Sequence, residues 1–296
     1  MPVSRALVWT LYAALVTIWS STWVVIAVGL EDVAPFFGAG LRFTLAGVGV
    51  LGAAVATKRS LRPDAGLAAL IAILPFATTY GLIYWAEQYV PSGLTAVLFG
   101  VLPLYVALLS VAFLPQEHLS ARLLAGVGIA LGGLVLAFGE SLHLGSGTKT
   151  ALAAAAVVAS PFASAIGNVA IKRRGARSDP LVLNGWAMLG GGIVLLAISA
   201  PTEDWGATVW SAATIGSIAY LAILGTGFTF VTLTVLLRHL PAMTVSFISL
   251  IIPFGALALG ALVRDEQITV AAVGGALLVA SGIAVAQLPI RPKVRA

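Results

Sequence analysis

Residues 90–138 read VPSGLTAVLFGVLPLYVALLSVAFLPQEHLSARLLAGVGIALGGLVLAF, and residues 240–287 read LPAMTVSFISLIIPFGALALGALVRDEQITVAAVGGALLVASGIAVAQ. Each is a pair of apolar runs parted by a short polar hinge, and the two pairs repeat one another. At an offset of 150, Pro91 meets Pro241 and Pro103 meets Pro253. At 149, after one deletion, Glu117 meets Glu266, Ser120 meets Thr269, Gly126 meets Gly275 and Gly133 meets Gly282. Upstream, Pro75 faces Gly225, so helix breakers correspond there too.

Each run is about as long as the roughly 20 residues a helix needs to cross a bilayer. With that ruler the chain divides into ten spans: 6–28, 36–57, 66–87, 92–114, 119–139, 150–171, 180–200, 213–237, 242–263 and 269–288. Composition agrees. The chain is 60% hydrophobic and 9% charged, with a mean hydropathy of +1.05, whereas a soluble domain is about 25% charged. The opening MPVSRALVWTLYAALVTIWSSTW is too long for a signal-peptide core of about 7–15 residues and reads as a retained first span. The net charge of +5 does not point to nucleic acid, because the basic residues sit in short gaps between apolar runs rather than on one wetted face. With both termini cytoplasmic, the inner ends and loops hold Arg5, Lys58, Arg59, Arg62, Arg122, Lys172, Arg173, Arg174, Arg177, Arg238, Arg291, Lys293 and Arg295. The outer loops hold Lys149 and Arg264, and Arg42 lies inside span 2. That bias is the positive-inside pattern. It orients the chain as a multi-pass membrane protein with both termini on the cytoplasmic side.

Five spans per half is an odd number, so the two copies cross the membrane in opposite senses. The expected fold is an all-α polytopic membrane protein of ten transmembrane helices in two inverted five-helix repeats, residues 1–145 and 146–296. Inverted repeats with breakers at matching places point to a secondary transporter with its site near the midplane. Pro75, Pro103, Pro161, Gly225, Gly227 and Pro253 are the expected hinges or helix breaks.

The ten spans in two halves, the Arg-Phe of LRFTLAG in span 2, and the EHLS (117–120) and EQIT (266–269) openings of each half's last helix resemble the EamA family of the drug/metabolite transporter superfamily. The resemblance covers nearly the whole chain. It implies export of small metabolites, commonly amino acids, across the bacterial inner membrane. The aromatic-rich span 3 is similar to the aromatic amino-acid exporter branch. In span 1, TIWSSTW replaces the family's Trp-Gly pattern.

A polar side chain inside a span has no partner in lipid, so such residues mark a path or bind neighbouring helices. Candidates for substrate contact are Trp19, Ser21 and Trp23 in span 1, Arg42 in span 2, and Tyr80, Tyr84 and Gln88 along one face of span 3. Ser164 and Asn168 continue a stripe from Ser160 in span 6. Trp186 in span 7, Thr229 and Phe230 in span 8, and Ser246 and Ser249 in span 9 complete the set. Arg42 lies about two turns, roughly 9 Å, below the outer end of its helix, with no carboxylate expected at its depth. Three roles fit it: snorkelling to headgroups, capping carbonyls at a broken helix, or binding a substrate carboxylate.

Cysteine is absent, which excludes thiolate metal sites; no metal or other cofactor is expected. No span holds a histidine, and the acids fall in loops or at span ends, Glu87 near the outer end of span 3 among them. Movement down a gradient is therefore expected rather than proton antiport, with a proton-coupled exporter of drugs or amphipathic metabolites as the alternative. An intramembrane enzyme would need a convergent nucleophile, base or metal set, which the spans lack. The expected partners are a small-molecule substrate and the lipid bilayer, not nucleic acid. Monomer and homodimer both fit; the Gly128/Gly132 G-x-x-x-G reads as close helix packing or a subunit contact.

Overall fold

In a computed structural model, residues 4–114, 120–139, 147–264 and 269–287 are described, with backbone alone for 260–264. Glu117, Glu266, His118, His143 and the basic residues after 287 lie outside them. Among the described residues there is no strand, and ten helices are long and apolar enough to cross a membrane. They are α1 Arg5–Leu30, α2 Pro35–Ala56, α3 Ala65–Ala86, α4 Ser92–Phe113, α5 Ala121–Phe138, α6 Thr148–Arg177, α7 Pro180–Thr202, α8 Ala212–His239, α9 Ala242–Leu259 and α10 Val270–Gln287. An even number of crossings puts both chain ends at one face of the bundle.

Local chemistry starts the helices where the sequence marks polar breaks. Asp64 accepts the Leu67 N–H at 3.0 Å and Asp179 the Leu181 N–H at 2.9 Å, while Pro35 and Pro180 occupy first-turn positions where a missing N–H costs nothing. The matched residues of the opening comparison take matched roles. Pro91 and Pro241 immediately precede α4 and α9, and Ser120 and Thr269 cap α5 and α10, each accepting an amide at 3.1 Å. At the face away from the chain ends, Glu203 caps α2 by accepting the Phe36 and Phe37 amides at 2.9 and 2.8 Å. A carboxylate there also complements the helix dipole. Nearby, Asp32 accepts from Ser211 and Thr214, which lowers its pKa from the usual value, the Thr214 bond contributing most.

Glycine decides which helices touch. A Cβ on Gly126 would run into the Gly282 carbonyl, and one on Gly133 would stand 2.7 Å from that of Gly275. The pairing of α5 with α10 is thus reciprocal: the residue matched to Gly126 contacts the residue matched to Gly282. The same holds between α2 and α7, where a Cβ on Gly192 would lie 3.0 Å from Gly40 O and one on Gly47 2.9 Å from Gly185 O. Gly128 and Gly132, by contrast, have nothing within 4 Å of a built Cβ. The close packing within the chain is made by Gly126 and Gly133, on another face of α5.

The expected breaks resolve differently. Pro75 sits in a widened, i→i+5 segment of α3 over Ala72–Thr79, and Gly225 and Gly227 lie in its counterpart in α8, Ile223–Phe228. In α4 the helix is interrupted at Gly100 and Val101, just before Pro103. In α9 the interruption falls at Phe247, and Pro253 lies within the continuous stretch that follows. Pro161 breaks nothing: α6 runs through it, because the Ser160 hydroxyl donates to the Val157 carbonyl at 3.0 Å, the acceptor Pro161 leaves without its usual amide.

Replacing Gly282 with Leu forces α5 and α10 apart and is expected to cost about 1–3 kcal/mol or more, as core overpacking does. Gly128→Leu, which meets open space, leaves the thermal unfolding of the detergent-purified protein unchanged. Equal effects of the two would show that the α5–α10 contact is not what the glycines serve.

Candidate functional site

The middle of the bundle holds a cavity with about 820 Å³ of empty space, its open mouth included. It is walled by α1, α3, α4, α6, α7, α8 and α9. Of the residues expected to contact a substrate, Trp19, Trp23, Tyr80, Ser164, Asn168, Phe230 and Ser249 line it, as does Pro75. Lining residues such as Ile71, Ile171 and Asn184, near the starts of α3 and α7 and the end of α6, carry it toward the face of the chain ends. Thr22 and Asn184 add polar groups. No charged side chain is among the lining residues.

The polar groups fall into two sets. Some are spent on holding helices: Ser164 Oγ donates to Thr79 Oγ1 at 3.1 Å, Thr79 donates to the Ser160 carbonyl at 3.1 Å, and Asn184 Nδ2 donates to Thr234 Oγ1 at 2.7 Å. Ser249 donates to its own helix. Others are free. The Trp23 indole N–H is buried without a hydrogen-bond partner, and the Asn168 amide, also buried in the protein and on the cavity wall, makes no hydrogen bond among the described residues. Aromatic rings frame them: Phe230 makes edge contacts with Trp19, Phe76 and Tyr80 at centroid distances of 5.3, 4.8 and 5.9 Å.

Arg42 stands behind this wall, not in it. It is 1% exposed. Nε donates to Thr226 Oγ1 at 2.6 Å, Nη2 to the Gly225 carbonyl at 3.0 Å and Nη1 to the Tyr84 hydroxyl at 3.3 Å. The guanidinium also lies over the Tyr80 ring, 4.9 Å from its centroid. Its geometry is that of a cap on the broken segment of α8. Trp19 Nε1 reaches the same Gly225 carbonyl at 3.3 Å and Thr229 Oγ1 at 3.1 Å, and Thr229 itself donates to that carbonyl at 2.9 Å. Arg42 and Tyr84 line a second, smaller cavity toward the face opposite the chain ends; Ile26 is common to both.

Several expected residues lie elsewhere. Ser21 hydrogen-bonds the Tyr220 hydroxyl at 2.6 Å and Ser246 donates to the Met243 carbonyl. Gln88 is exposed and donates to the Trp85 carbonyl. Trp186 is 40% exposed on the outside of α7, its indole donating to the Leu61 carbonyl at 2.9 Å.

One residue turns the other way. Glu87, expected as a span-end acid, has both carboxylate oxygens buried and without a hydrogen-bond partner. It follows Tyr84 by three positions, so the two share a helix face, and Tyr84 already faces Arg42. That spacing was the signal in the sequence. A buried carboxyl group thus lies on the face of α3 that turns toward Arg42, though the two make no ion pair.

These features define a ten-helix membrane transporter with a central, uncharged cavity. The EamA-like transporter family profile matches twice, over residues 5–139 and 151–287, and the chain belongs to that family. Its relatives include the uncharacterized transporter YoaV of Bacillus subtilis, 29% identical over 90% of this chain and 91% of that one. A probable amino-acid metabolite efflux pump of Escherichia coli is 28% identical over 90% of each chain, and the uncharacterized inner membrane transporter YedA of that species is 30% identical over 79% of this chain and 76% of its own. A crystal structure superposes with a TM-score of 0.81 over 96% of this chain and 98% of its own, at 22% identity. The relatives are named as transporters, not enzymes.

Arg42→Ala is expected to destabilise the purified protein by about 2–5 kcal/mol, three intramembrane hydrogen bonds at roughly 0.6–1.7 kcal/mol each. Tyr84→Phe, which removes only the longest of the three, should cost under about 1 kcal/mol. Thermal unfolding in detergent distinguishes them; an innocuous Arg42→Ala would mean that α8 needs no cap.

Proposed function

We propose that the protein is a secondary transporter of a bacterial inner membrane that exports small metabolites, amino acids foremost, by alternating access, driven by the substrate's own gradient. Both termini are on the cytoplasmic side in this reading, as the basic residues of the inner loops argue, so the cavity extends toward the cytoplasm. The observation that carries the proposal is the cavity itself, where a free Asn168 amide and the unpartnered Trp23 N–H stand among aromatic walls with no charged lining residue. Such a wall suits a small zwitterion or neutral amphiphile whose polar end is met by dipoles and whose side chain packs on rings. An aromatic amino acid is one such substrate. The efflux-pump relative supports the amino-acid class. Two inverted five-helix repeats, 1–145 and 146–296, are supported by the double family match and by the reciprocal glycine contacts of α5 with α10 and α2 with α7, which an axis lying in the membrane plane would generate.

Purified protein in liposomes loaded with labelled Trp, Phe, Thr, Met or Glu tests this directly. Downhill flux of neutral amino acids without a pH gradient is expected. Asn168→Leu and Trp23→Phe should each lower it about tenfold, the weight of one hydrogen bond, and Trp186→Phe should leave it intact. If none of these amino acids moves, or if Trp186→Phe matters as much as Asn168→Leu, the substrate class or the cavity assignment is wrong.

Glu87 favours a second reading, a proton-coupled exporter. A carboxyl group buried without a donor is costly in so dry a place, which is where a coupling group would sit. Under the gradient-driven reading, Glu87→Gln keeps flux and its indifference to pH. Under the coupled reading, wild-type flux rises with an imposed proton gradient and Glu87→Gln abolishes that response.

A further inference from the structure

An apolar slot opens on the outside of the bundle between α3, α4 and α6, with about 510 Å³ of empty space and walls that include Leu70, Leu109, Phe113, Ile166 and Ala170. Phe113 ends α4 and Leu70 begins the second turn of α3, so the slot lies just inside the face of the chain ends. Its rim is Arg173 and Arg174, which also line a polar basin with Arg62, Arg177, Asp64 and Asp179. The two spaces therefore adjoin at Arg173 and Arg174, hydrocarbon-like below and cationic above.

The charges of the basin do not cancel. Asp64 is taken by Arg174 at 3.1 Å and Asp179 by Arg59 at 2.7 Å, and both carboxylates cap helices besides. Arg62, Arg173 and Arg177 make no ion pair or hydrogen bond among the described residues. We propose that this composite site holds an anionic glycerophospholipid, one acyl chain in the slot and the headgroup phosphate among Arg62, Arg173 and Arg177. A free phosphate would leave the slot unfilled. A choline or ethanolamine headgroup would bring an ammonium group among three uncompensated guanidiniums. Only a lipid with net negative charge satisfies both parts. The site is separate from the central cavity and independent of what that cavity carries.

The test is native mass spectrometry of the full-length protein in mild detergent at low ionic strength, with phosphatidylglycerol and phosphatidylethanolamine in equal amounts. Wild type is expected to retain phosphatidylglycerol preferentially. The triple variant Arg62→Gln/Arg173→Gln/Arg177→Gln, all at exposed positions, should lower that preference about a hundredfold, and phosphatidylglycerol should raise the unfolding temperature of wild type but not of the triple variant. A slot plug, Ala170→Phe or Leu109→Trp (whichever keeps the wild-type unfolding temperature), should lose both lipids. Equal retention of the two lipids by wild type, or an undiminished preference in the triple variant, overturns the proposal. Displacement by millimolar inorganic phosphate, with a folded plug binding as wild type does, would make the basin a free-anion site and overturn it equally.

Discussion

Inside a bilayer every backbone carbonyl that loses its helical amide must find another donor, and this fold is arranged around a few places where that happens. Three solutions are visible. Ser160 supplies a hydroxyl where Pro161 withholds an amide, and α6 continues unbroken through it. In α3 the ladder widens around Pro75, and Thr79 bridges to α6. In α8 the widened segment is capped from another helix altogether, by Arg42 of α2. The last is the most consequential, because it buries a guanidinium that forms no ion pair among the described residues and thereby ties the first half of the chain to the second.

Packing follows from the same economy of polar groups. Without a hydrophobic drive between helices in lipid, close approach of backbones does the work, so glycine positions determine the neighbours. Two pairs, α2 with α7 and α5 with α10, are held carbonyl against Cα. The remaining helices, with α7, wall the cavity, and four of them, α3, α4, α8 and α9, carry interruptions.

Much of this was legible in the sequence, for a physical reason: about 20 apolar residues between charged breaks admit few readings in a membrane. The matched Ser120/Thr269 pair was equally plain. Orientation about each helix axis was not. A span that is apolar all round has no face marked by polarity, so Trp186 was expected inward and stands outward, and of the two roles open to Gly128/Gly132, packing within the chain or against a second copy, the first falls to Gly126 and Gly133. Polar stripes fared better, since Ser164 and Asn168 share a face and one member can hardly reach the cavity wall without the other. Glu87 was hidden by its position in the chain: a span-end acid is ordinarily wetted, and only its three-residue step from Tyr84 hinted otherwise.

The Gly225 carbonyl receives three donors, from Arg42, Trp19 and Thr229, yet an oxygen of this kind has two lone pairs. The donors are therefore competitors. Trp19 belongs to the cavity wall and Arg42 to the layer beyond it, so a molecule that draws the Trp19 indole toward itself leaves the oxygen more fully to Arg42. Occupancy of the cavity and tightness of the layer above it are in this way two readings of a single oxygen atom.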